Sequence, residues 1–203
     1  MARKRWYKRM TKRKIICLSI LIIVIMSAVG SALCCNRYKQ PEKKVHGKEE
    51  SFVCNGIQYT LKNIEMYSFY DAMSKYDMTT EDLMFGEEYL EWADNKKIFI
   101  GEIEFTVVSE DYEYDINSIL RYHECYVSSG HEYDFERKLN EKGYKSFELK
   151  KGDKKTIYVA YPLIDYAFLE KTWNTISAKD VSIYVYDTQN CEYHFMNIDG
   201  VMP

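Results

Sequence analysis

The sequence predicts a mainly β protein: an antiparallel β-sandwich with short helices in its connections, preceded by one N-terminal transmembrane helix. One observation is that several short segments between residues 52 and 203 alternate apolar and polar residues and are separated by turn-forming residues, which is typical of a sandwich. The other is the uncharged run from Ile15 to Leu33. As a helix this run would be about 28 Å long, close to the ~30 Å hydrocarbon thickness of a bilayer.

The charges beside this run predict its orientation. Residues 1–14 contain eight Lys and Arg residues and no Asp or Glu, and such a basic flank stays in the cytoplasm. We therefore expect a single-pass protein of the cell membrane with its C-terminal domain outside. The alternatives are cleavage as a signal peptide at 28–30 or 30–32, or acylation of Cys34, although Leu33 is a poor residue before an acylated cysteine. Each alternative also places the domain outside the cytoplasm.

A polar segment separates the anchor from the domain. Residues 34–51 are rich in charged residues and contain Pro41 and Gly47, so they are predicted to form a flexible juxtamembrane stalk. Residues 52–203 then form one domain with a single core. Of the 28 Lys and Arg residues 13 precede residue 51, whereas only 3 of the 31 Asp and Glu residues do. The domain is therefore strongly negative, which argues against nucleic-acid binding.

The domain begins with a predicted strand from Ile57 to Met66. Apolar residues alternate as far as Asn63 and then shift by one position, as at a β-bulge. The next segment, Tyr67 to Lys97, lacks a strand pattern. We interpret it as an insertion with a helical capping box at residues 79–82 and a helical turn at residues 87–92. Specific function is expected there, because binding residues concentrate in connecting segments.

The clearest strand is predicted from Phe99 to Val107. Alternate residues form one apolar face, and from Glu102 onward the residues between them are polar. This pattern predicts one face on a core and one face in water.

The remaining elements continue the pattern. Residues 134–142 are predicted to form a short helix that is capped by Asp134 and ended by Gly143. The other predicted elements are an acidic loop at 109–115, a strand at 119–128, a hairpin of 147–149 and 156–161 closed by Pro162, an amphipathic cover at 166–176, and a terminal hairpin of 181–187 and 192–198.

Three cysteines lie in the domain: Cys54, Cys125 and Cys191. An exported domain permits disulfides, so one bridge within the domain, or a bond to Cys34 or Cys35, is possible. The alternative is that these cysteines are buried free thiols, which pack as small apolar residues. The sequence leaves both open.

Metal-binding patterns are incomplete. His123 and Cys125 would face the same side of a strand, and His131 or His194 would be needed to complete a site with them, but the spacing of a zinc protease is absent. The acidic residues at 110–115 lack the ligand spacing of a calcium loop.

A nucleophilic centre is also incomplete. Ser128 and Ser129 lie close to His131 in sequence, without the strained glycine-flanked turn that presents a catalytic serine. We therefore predict no catalytic residues, no bound metal and no cofactor.

The order of segments carries a family resemblance. A basic anchor and a charged stalk precede the strand 56–60, the segment 98–105, and Phe147-Glu148-Leu149 followed by Gly152 and the segment 158–162. This order resembles the immunoglobulin-like (telokin-like) domains of unknown function in small membrane-anchored or secreted proteins of Gram-positive bacteria. The resemblance covers residues 52–198 and implies an immunoglobulin-like β-sandwich. It implies no catalytic residues, because those families have none assigned.

Composition favours a binding function over an enzymatic one. Tyrosines offer a large contact area with a polar tip, and the acidic charge would steer cationic partners toward the domain. The plainer explanation is that the tyrosines build the sheets and the acids keep the domain soluble. We expect a surface protein, not an enzyme, whose domain binds a protein or peptide outside the membrane. The alternatives are an accessory or sensory subunit of a membrane complex and a secreted lipoprotein.

Overall fold

The computed structural model describes residues 17, 20–27, 41–109, 124–125, 130–140 and 150–201, and at 124–125 it describes the backbone alone. The chain divides into two compact units, residues 1–40 and residues 41–203. In the first unit Cys17 and residues 20–27 are helical. Among the described residues, no helix has both the length and the apolar character needed to cross a membrane.

The second unit is mainly β, with two sheets and a few short helices. Its described strands are β1 (Glu42–His46), β2 (Ser51–Cys54), β3 (Ile57–Ser68), β4 (Lys96–Val107), β5 (Glu124–Cys125), β6 (Lys154–Ile164), β7 (Ile183–Asp187) and β8 (Glu192–Met196). Its α-helices are α1 (Phe69–Lys75), α2 (Tyr133–Leu139) and α3 (Glu170–Thr175), and its 3-10 helices are Thr80–Asp82, Gly86–Asn95, Asp165–Ala167 and Ala178–Asp180.

Each sheet contains four described strands. The first sheet has the order β2-β3-β4-β6 and its neighbouring strands are all antiparallel. The second has the order β1-β8-β7-β5, in which β1 and β8 are parallel and the other pairs are antiparallel. The predicted terminal hairpin is confirmed as β7 and β8.

Strand β3 contains the predicted irregularity. Its pairing with β4 shifts register between Leu61 and Asn63, where the apolar alternation of the sequence slips. A bulge lets both halves of the strand keep their apolar side chains in the core.

The main core lies between the two sheets. Its buried members include Tyr59 and Leu61 of β3, Phe105 of β4, Val159 of β6 and Val185 of β7.

A close approach of β4 and β7 depends on a glycine. A Cβ atom on Gly101 would lie only 2.2 Å from Cδ1 of Ile183. The glycine therefore provides the space into which the Ile183 side chain packs.

Strand β4 is buried on both faces in its first half. The predicted inner face is confirmed, since Phe99 and Ile103 are fully buried. The expectation of water on the other face is confirmed at Glu102, Glu104 and Thr106, which are partly exposed. It is wrong at Ile100, which is buried, as is Ile98 just before the predicted strand. They belong to a second hydrophobic cluster that includes residues of the insertion and of α2.

The insertion folds into helices, as predicted. The capping box joins Thr79 and Asp82, and the predicted helical turn lies within the 3-10 helix Gly86–Asn95. Helix α1 was not predicted. It begins after Ser68, whose Oγ accepts a hydrogen bond from the Asp71 amide at 3.2 Å.

The structure differs from the predicted stalk. Residues 42–46 form β1, which pairs with β8 from Glu42 opposite Glu192 to His46 opposite Met196. Only Val45 of this strand is a large apolar residue. Sheet edges commonly carry charged side chains, so β1 has the composition of a linker although it belongs to the fold.

Two predicted boundaries were wrong. Helix α2 begins at Tyr133 after Glu132 at the N-cap position; Asp134 lies inside the helix, and its Oδ2 accepts a hydrogen bond from the Met84 amide at 2.9 Å. Strand β6 does not end at Pro162 but continues to Ile164. It is the last described strand of its sheet, and an edge position tolerates proline.

The cover predicted at 166–176 corresponds to one 3-10 helix and α3. The predicted acidic loop from residue 110, most of the strand at 119–128, and the segments 141–149 lie outside the described residues.

Candidate functional site

The first candidate is a surface formed by residues 76–95, here called the acidic aromatic surface. Met84, Phe85 and Trp92 are 64%, 63% and 62% exposed. Large apolar side chains this exposed in one short segment are typical of interaction sites. Specific function was predicted for this insertion, but these three residues were not identified.

The charge of this segment is of one sign. Residues 76–95 contain seven acidic residues and no Lys or Arg. Asp82 pairs with Lys138 at 3.1 Å. The other acids are exposed: Asp77, Glu81, Glu87, Glu88, Glu91 and Asp94.

Contacts with α2 hold this segment in place. The Met84 amide donates to Asp134, the Asp82 carbonyl oxygen accepts from the Arg137 guanidinium, and the Asp82 carboxylate accepts from Lys138. The capping box of Thr79 and Asp82 fixes the turn before it. The exposed side chains are thus carried by an ordered backbone.

A buried polar cluster lies beneath the same surface. The Tyr89 hydroxyl donates to Oε2 of Glu132 at 2.6 Å, and Nζ of Lys96 lies 3.6 Å from the centre of the Tyr89 ring. Burial raises the pKa of Glu132, although the hydrogen bond from Tyr89 and the charge of Lys96 oppose this shift. Burial lowers the pKa of Lys96. Since the Tyr89 ring stacks on Phe85 at 6.4 Å, this cluster also positions an exposed aromatic residue.

The second candidate is a cluster of Cys54, Asp187 and His194, here called the cysteine cluster. One possible ligand atom from each residue lies within 4.8 Å of those of the other two, and all three residues are buried. Cys54 ends β2 in the first sheet, whereas Asp187 ends β7 and His194 lies in β8 of the second. The cluster therefore bridges the two sheets.

Two tight turns bring these residues to the same end of the fold. Asn55 and Gly56 follow Cys54 with φ angles of 50° and 78°, as a type I′ hairpin turn requires. At the other hairpin, Oδ1 of Asp187 accepts from the backbone amides of Gln189 at 2.8 Å and Asn190 at 3.0 Å. The Asp187 carboxylate thus stabilises its own turn and keeps lone pairs that can bind a further group.

The His194 ring is oriented by its neighbours. Its Nδ1 lies 3.0 Å from Nε2 of His46, and its ring stacks on Phe52 at 4.7 Å. Its Nε2 is buried and has no hydrogen-bond partner among the described residues, although Oε2 of Glu192 lies 3.5 Å away. Burial lowers the pKa of His194, and the charges of His46 and Lys44 contribute.

The electrostatics of the cluster oppose a nucleophilic role for its thiol. Burial, with a contribution from Asp187 and Glu192, raises the pKa of Cys54 to about 12. Burial alone would raise the pKa of Asp187 as well, but hydrogen bonds from Asn190 and Gln189 hold it below its usual value. A nucleophilic cysteine needs a lowered pKa and access to substrate, and Cys54 is 1% exposed.

Few of the sequence-predicted site residues come together. Of the histidines considered for a metal site, His194 lies in the cysteine cluster, and His131 instead contacts Glu136, with Nδ1 2.7 Å from Oε1. Cys54 and Cys191 carry free thiols. His123, Ser128, Ser129 and the side chain of Cys125 lie outside the described part of the chain.

Comparisons with known proteins give two structural likenesses. No protein-family model and no curated protein matches this chain. The crystal structure of the yjhA protein from Bacillus subtilis is similar with a TM-score of 0.42 and 11% identity, over 76% of this chain and 99% of that chain. A functionally unknown protein from Listeria monocytogenes EGD-e is similar with a TM-score of 0.41 and 16% identity, over 70% of this chain and 73% of that chain. Both neighbours come from Gram-positive bacteria.

Proposed function

We propose that this chain is a single-pass membrane-anchored surface protein whose extracellular, immunoglobulin-like domain binds a cationic protein or peptide segment through the acidic aromatic surface. The observation that carries the proposal is the exposure of Met84, Phe85 and Trp92 within a segment that contains seven acidic residues and no basic one.

The chemistry of this surface selects the partner. Aromatic residues and Met are enriched at protein interfaces, and burying such side chains supplies most of the binding energy. Exposed carboxylates attract a cationic partner at long range and repel an acidic one. Lys and Arg side chains would also bind on the faces of Trp92 and Phe85 through cation–π contacts. The fitting ligand therefore combines basic and apolar residues.

The rigid support of the surface favours binding as well. The hydrogen bonds between α2 and residues 82–84 order this segment before any partner arrives. A pre-ordered site loses less conformational entropy on association.

The anchor rests on the sequence. The run from Ile15 to Leu33 has the length and composition of a membrane span, and the basic residues before it favour a cytoplasmic N-terminus. The large apolar side chains at residues 20–26 are all more than half exposed on their helix, which suits contact with lipid.

The immunoglobulin-like assignment is supported by the strand arrangement. Two four-stranded sheets share one core, and β1 crosses to pair with the last strand, β8. A sandwich of two sheets with most neighbours antiparallel is the architecture of such domains.

Binding is favoured over catalysis because the ionisable clusters are closed. Cys54 is 1% and Glu132 is 4% exposed, so neither group is open to a substrate from solution.

Binding can be tested with the full-length protein in nanodiscs and synthetic helical peptides of fixed length. One peptide contains Lys and Leu, a second contains Glu and Leu, and a third contains Lys and Ser. We expect the Lys–Leu peptide alone to bind well, and Trp92→Ser to weaken this binding at least tenfold. The triple variant Glu87→Gln/Glu88→Gln/Glu91→Gln should weaken it more at low salt than at high salt.

Matched controls lie outside this surface. Tyr166 and Leu169 are each 80% exposed, so Tyr166→Ser and Leu169→Ser remove comparable apolar area elsewhere, and Glu170→Gln removes an exposed charge. These variants should bind as the wild type does. Equal affinity for the Lys–Leu and Glu–Leu peptides, or an unchanged affinity in Trp92→Ser, would contradict the proposed binding site.

The anchoring is tested separately by protease treatment of intact cells that produce the chain. The domain should be digested while a cytoplasmic marker survives. Protection of the domain, or its recovery from the cytosol on fractionation, would refute the membrane topology without bearing on the peptide binding.

A further inference from the structure

The geometry of the cysteine cluster points to a metal site: we propose that Cys54, Asp187 and His194 bind a structural Zn²⁺ ion that joins the two sheets. The three residues offer a sulfur, an oxygen and a nitrogen ligand within 4.8 Å of one another. Thiolate, imidazole and carboxylate are the ligand types of zinc sites, and the mixture of soft and borderline donors disfavours Mg²⁺ and Ca²⁺.

The distances suit an ion of this size. With bonds of about 2.3 Å to sulfur and about 2.0–2.1 Å to nitrogen and oxygen, tetrahedral ligands lie about 3.3–3.6 Å apart. The ligand atoms of the three residues now lie up to 4.8 Å apart. To reach the spacing around a bound ion, any two of them must approach each other by at most about 1.5 Å.

The His194 ring is arranged as zinc-bound histidines are. Its Nδ1 is engaged by Nε2 of His46 at 3.0 Å, and its buried Nε2 has no hydrogen-bond partner among the residues described. A metal-bound imidazole characteristically uses one ring nitrogen for the metal and the other for an orienting hydrogen bond. Zinc at Nε2 would give a partner to a buried atom that is otherwise costly to leave unsatisfied.

A further carboxylate stands beside this atom. Oε2 of Glu192 lies 3.5 Å from Nε2 of His194, which equals the spacing of two ligands on one tetrahedral ion. It also accepts from Nζ of Lys44 at 2.7 Å. Glu192 lies outside the group whose ligand atoms are all within 4.8 Å of one another, so its side chain would have to move toward Cys54 and Asp187 to become the fourth ligand.

The charge balance favours a cation. Without one, the Cys54 thiol and the Asp187 carboxylate are buried together, beside the partly exposed Glu192, whose charge is paired with Lys44. On binding, the Cys54 sulfur loses its proton to solvent and forms the Zn–S bond, so the bound ion faces three anionic ligands and one neutral imidazole. A site closed in this way has no open position for a substrate water, so its role is to fasten the β2–β3 hairpin to the β7–β8 hairpin.

The proposal is tested on the full chain, purified in detergent with a reductant and a chelator that is then removed. We expect one equivalent of Zn²⁺ to bind and to raise the melting temperature. Co²⁺ should bind in its place and give the thiolate charge-transfer band and the intense visible bands of a tetrahedral thiolate-bound ion. A wild-type chain that takes up no stoichiometric Zn²⁺ and shows no such bands overturns the proposal.

Variants assign the ligands. Cys54→Ser and His194→Gln should each weaken Zn²⁺ binding at least tenfold, and Cys54→Ser should abolish the charge-transfer band. Asp187→Asn keeps an acceptor oxygen for the two backbone amides of the turn but loses the acceptor for Nδ2 of Asn190, and it should also weaken Zn²⁺ binding at least tenfold. If circular dichroism shows that Cys54→Ser does not fold, two other results decide the question. They are the Co²⁺ spectrum of the wild type and the expected failure of Zn²⁺ to raise the melting temperature of His194→Gln.

The other cysteines provide controls. Cys191→Ser and the double variant Cys34→Ser/Cys35→Ser should retain the Co²⁺ spectrum and the zinc stoichiometry. Loss of the band in the double variant, or its persistence in a folded Cys54→Ser chain, would place the metal elsewhere and refute the site.

Discussion

At the residue scale, the domain contains an acidic group held at an electrostatic cost. Glu132 is 4% exposed and receives a hydrogen bond from Tyr89, while Asp134 and Glu136 lie near it and disfavour its charged form. Burial is the largest cause of its raised pKa. Lys96, the nearby cation, compensates only in part. The cluster therefore fixes Tyr89 under the exposed Phe85 at the expense of stability.

Replacement of this acid should change how stability depends on pH. The pKa of Glu132 is raised in the folded state above its ordinary value of 4.5, so the folded state holds the proton more tightly than the unfolded one. Stability from this group is complete below that value and is lost as pH rises through the folded pKa. Glu132→Gln should therefore gain stability relative to the wild type as pH increases above about 4.5.

Urea unfolding of both proteins at several pH values between about 4 and 8 measures this effect. Glu81→Gln, which changes an exposed acid of the same surface, serves as the control. If the stability difference between Glu132→Gln and the wild type stays constant with pH, then the folded state does not disfavour the charged form of Glu132.

At the scale of elements, α2 and its C-cap residue cover the edge of strand β6 that has no partner strand among the described residues. The Ala160 amide donates to Oε1 of Glu136 at 2.9 Å, and Asn140 both accepts from the Tyr158 amide and donates to the Tyr158 carbonyl oxygen, each at 2.8 Å. Side chains of the helix thus take the place of a neighbouring strand. An uncovered edge is a template for pairing between molecules.

Removal of this cover should promote association. The double variant Glu136→Ala/Asn140→Ala leaves backbone groups of β6 unsatisfied, which costs about 1–3 kcal/mol for each buried group, and frees the edge to pair with a second copy. Analytical ultracentrifugation should detect dimers or larger species that the wild type lacks. The control Thr156→Ala changes an exposed side chain of the same strand and should associate no more than the wild type does. If the double variant Glu136→Ala/Asn140→Ala stays monomeric, α2 does not protect this edge.

The contact of β4 with β7 is a second test at this scale. Gly101→Ala places a methyl group where Cδ1 of Ile183 now lies, 2.2 Å from the new carbon, and should destabilise the domain by about 1–3 kcal/mol. Ile183→Val removes that Cδ1 atom. In urea unfolding, the double variant Gly101→Ala/Ile183→Val should be more stable than Gly101→Ala alone. If its loss of unfolding free energy instead equals the sum of the losses of the two single variants, the assigned contact is wrong.

The alternation of apolar residues predicted the elements that have one face in the core. Strand β3 with its bulge, the inner face of β4 and the β7–β8 hairpin follow from it. Strand β1 did not, because an edge strand with charged side chains has the composition of a linker. The cysteine cluster also escaped, since Cys54 and His194 are 140 positions apart and only sheet packing brings them together. The Asn55-Gly56 turn was the local signal that β2 and β3 form a hairpin.

At the scale of the whole molecule, the folded domain begins before the predicted boundary at residue 52. Residues 41–203 form one compact unit, and β1 contributes His46, whose ring stacks on Phe52 at 4.1 Å. The segment expected to be a stalk thus completes the second sheet.

Truncation tests this boundary. A fragment of residues 51–203 lacks β1 and exposes β8, so its melting temperature should be roughly 5 °C below that of 41–203, given a loss of about 2 kcal/mol. A fragment of 36–203 should melt with 41–203, because the added residues precede the compact unit. Circular dichroism measures the melting temperatures. Equal values for 51–203 and 41–203 would restore the interpretation of the missing residues as a stalk.

The parallel pairing of β1 and β8 also determines how the domain would respond to traction. A pull on the N-terminal end of β1 and an opposite pull on the C-terminal end of β8 act along the strand axes, so the five register pairs from Glu42–Glu192 to His46–Met196 are loaded in shear together instead of being peeled apart in turn. The proposed tether precedes β1 in sequence, so a pull along it while the C-terminal end of the chain is held would meet all five pairs at once.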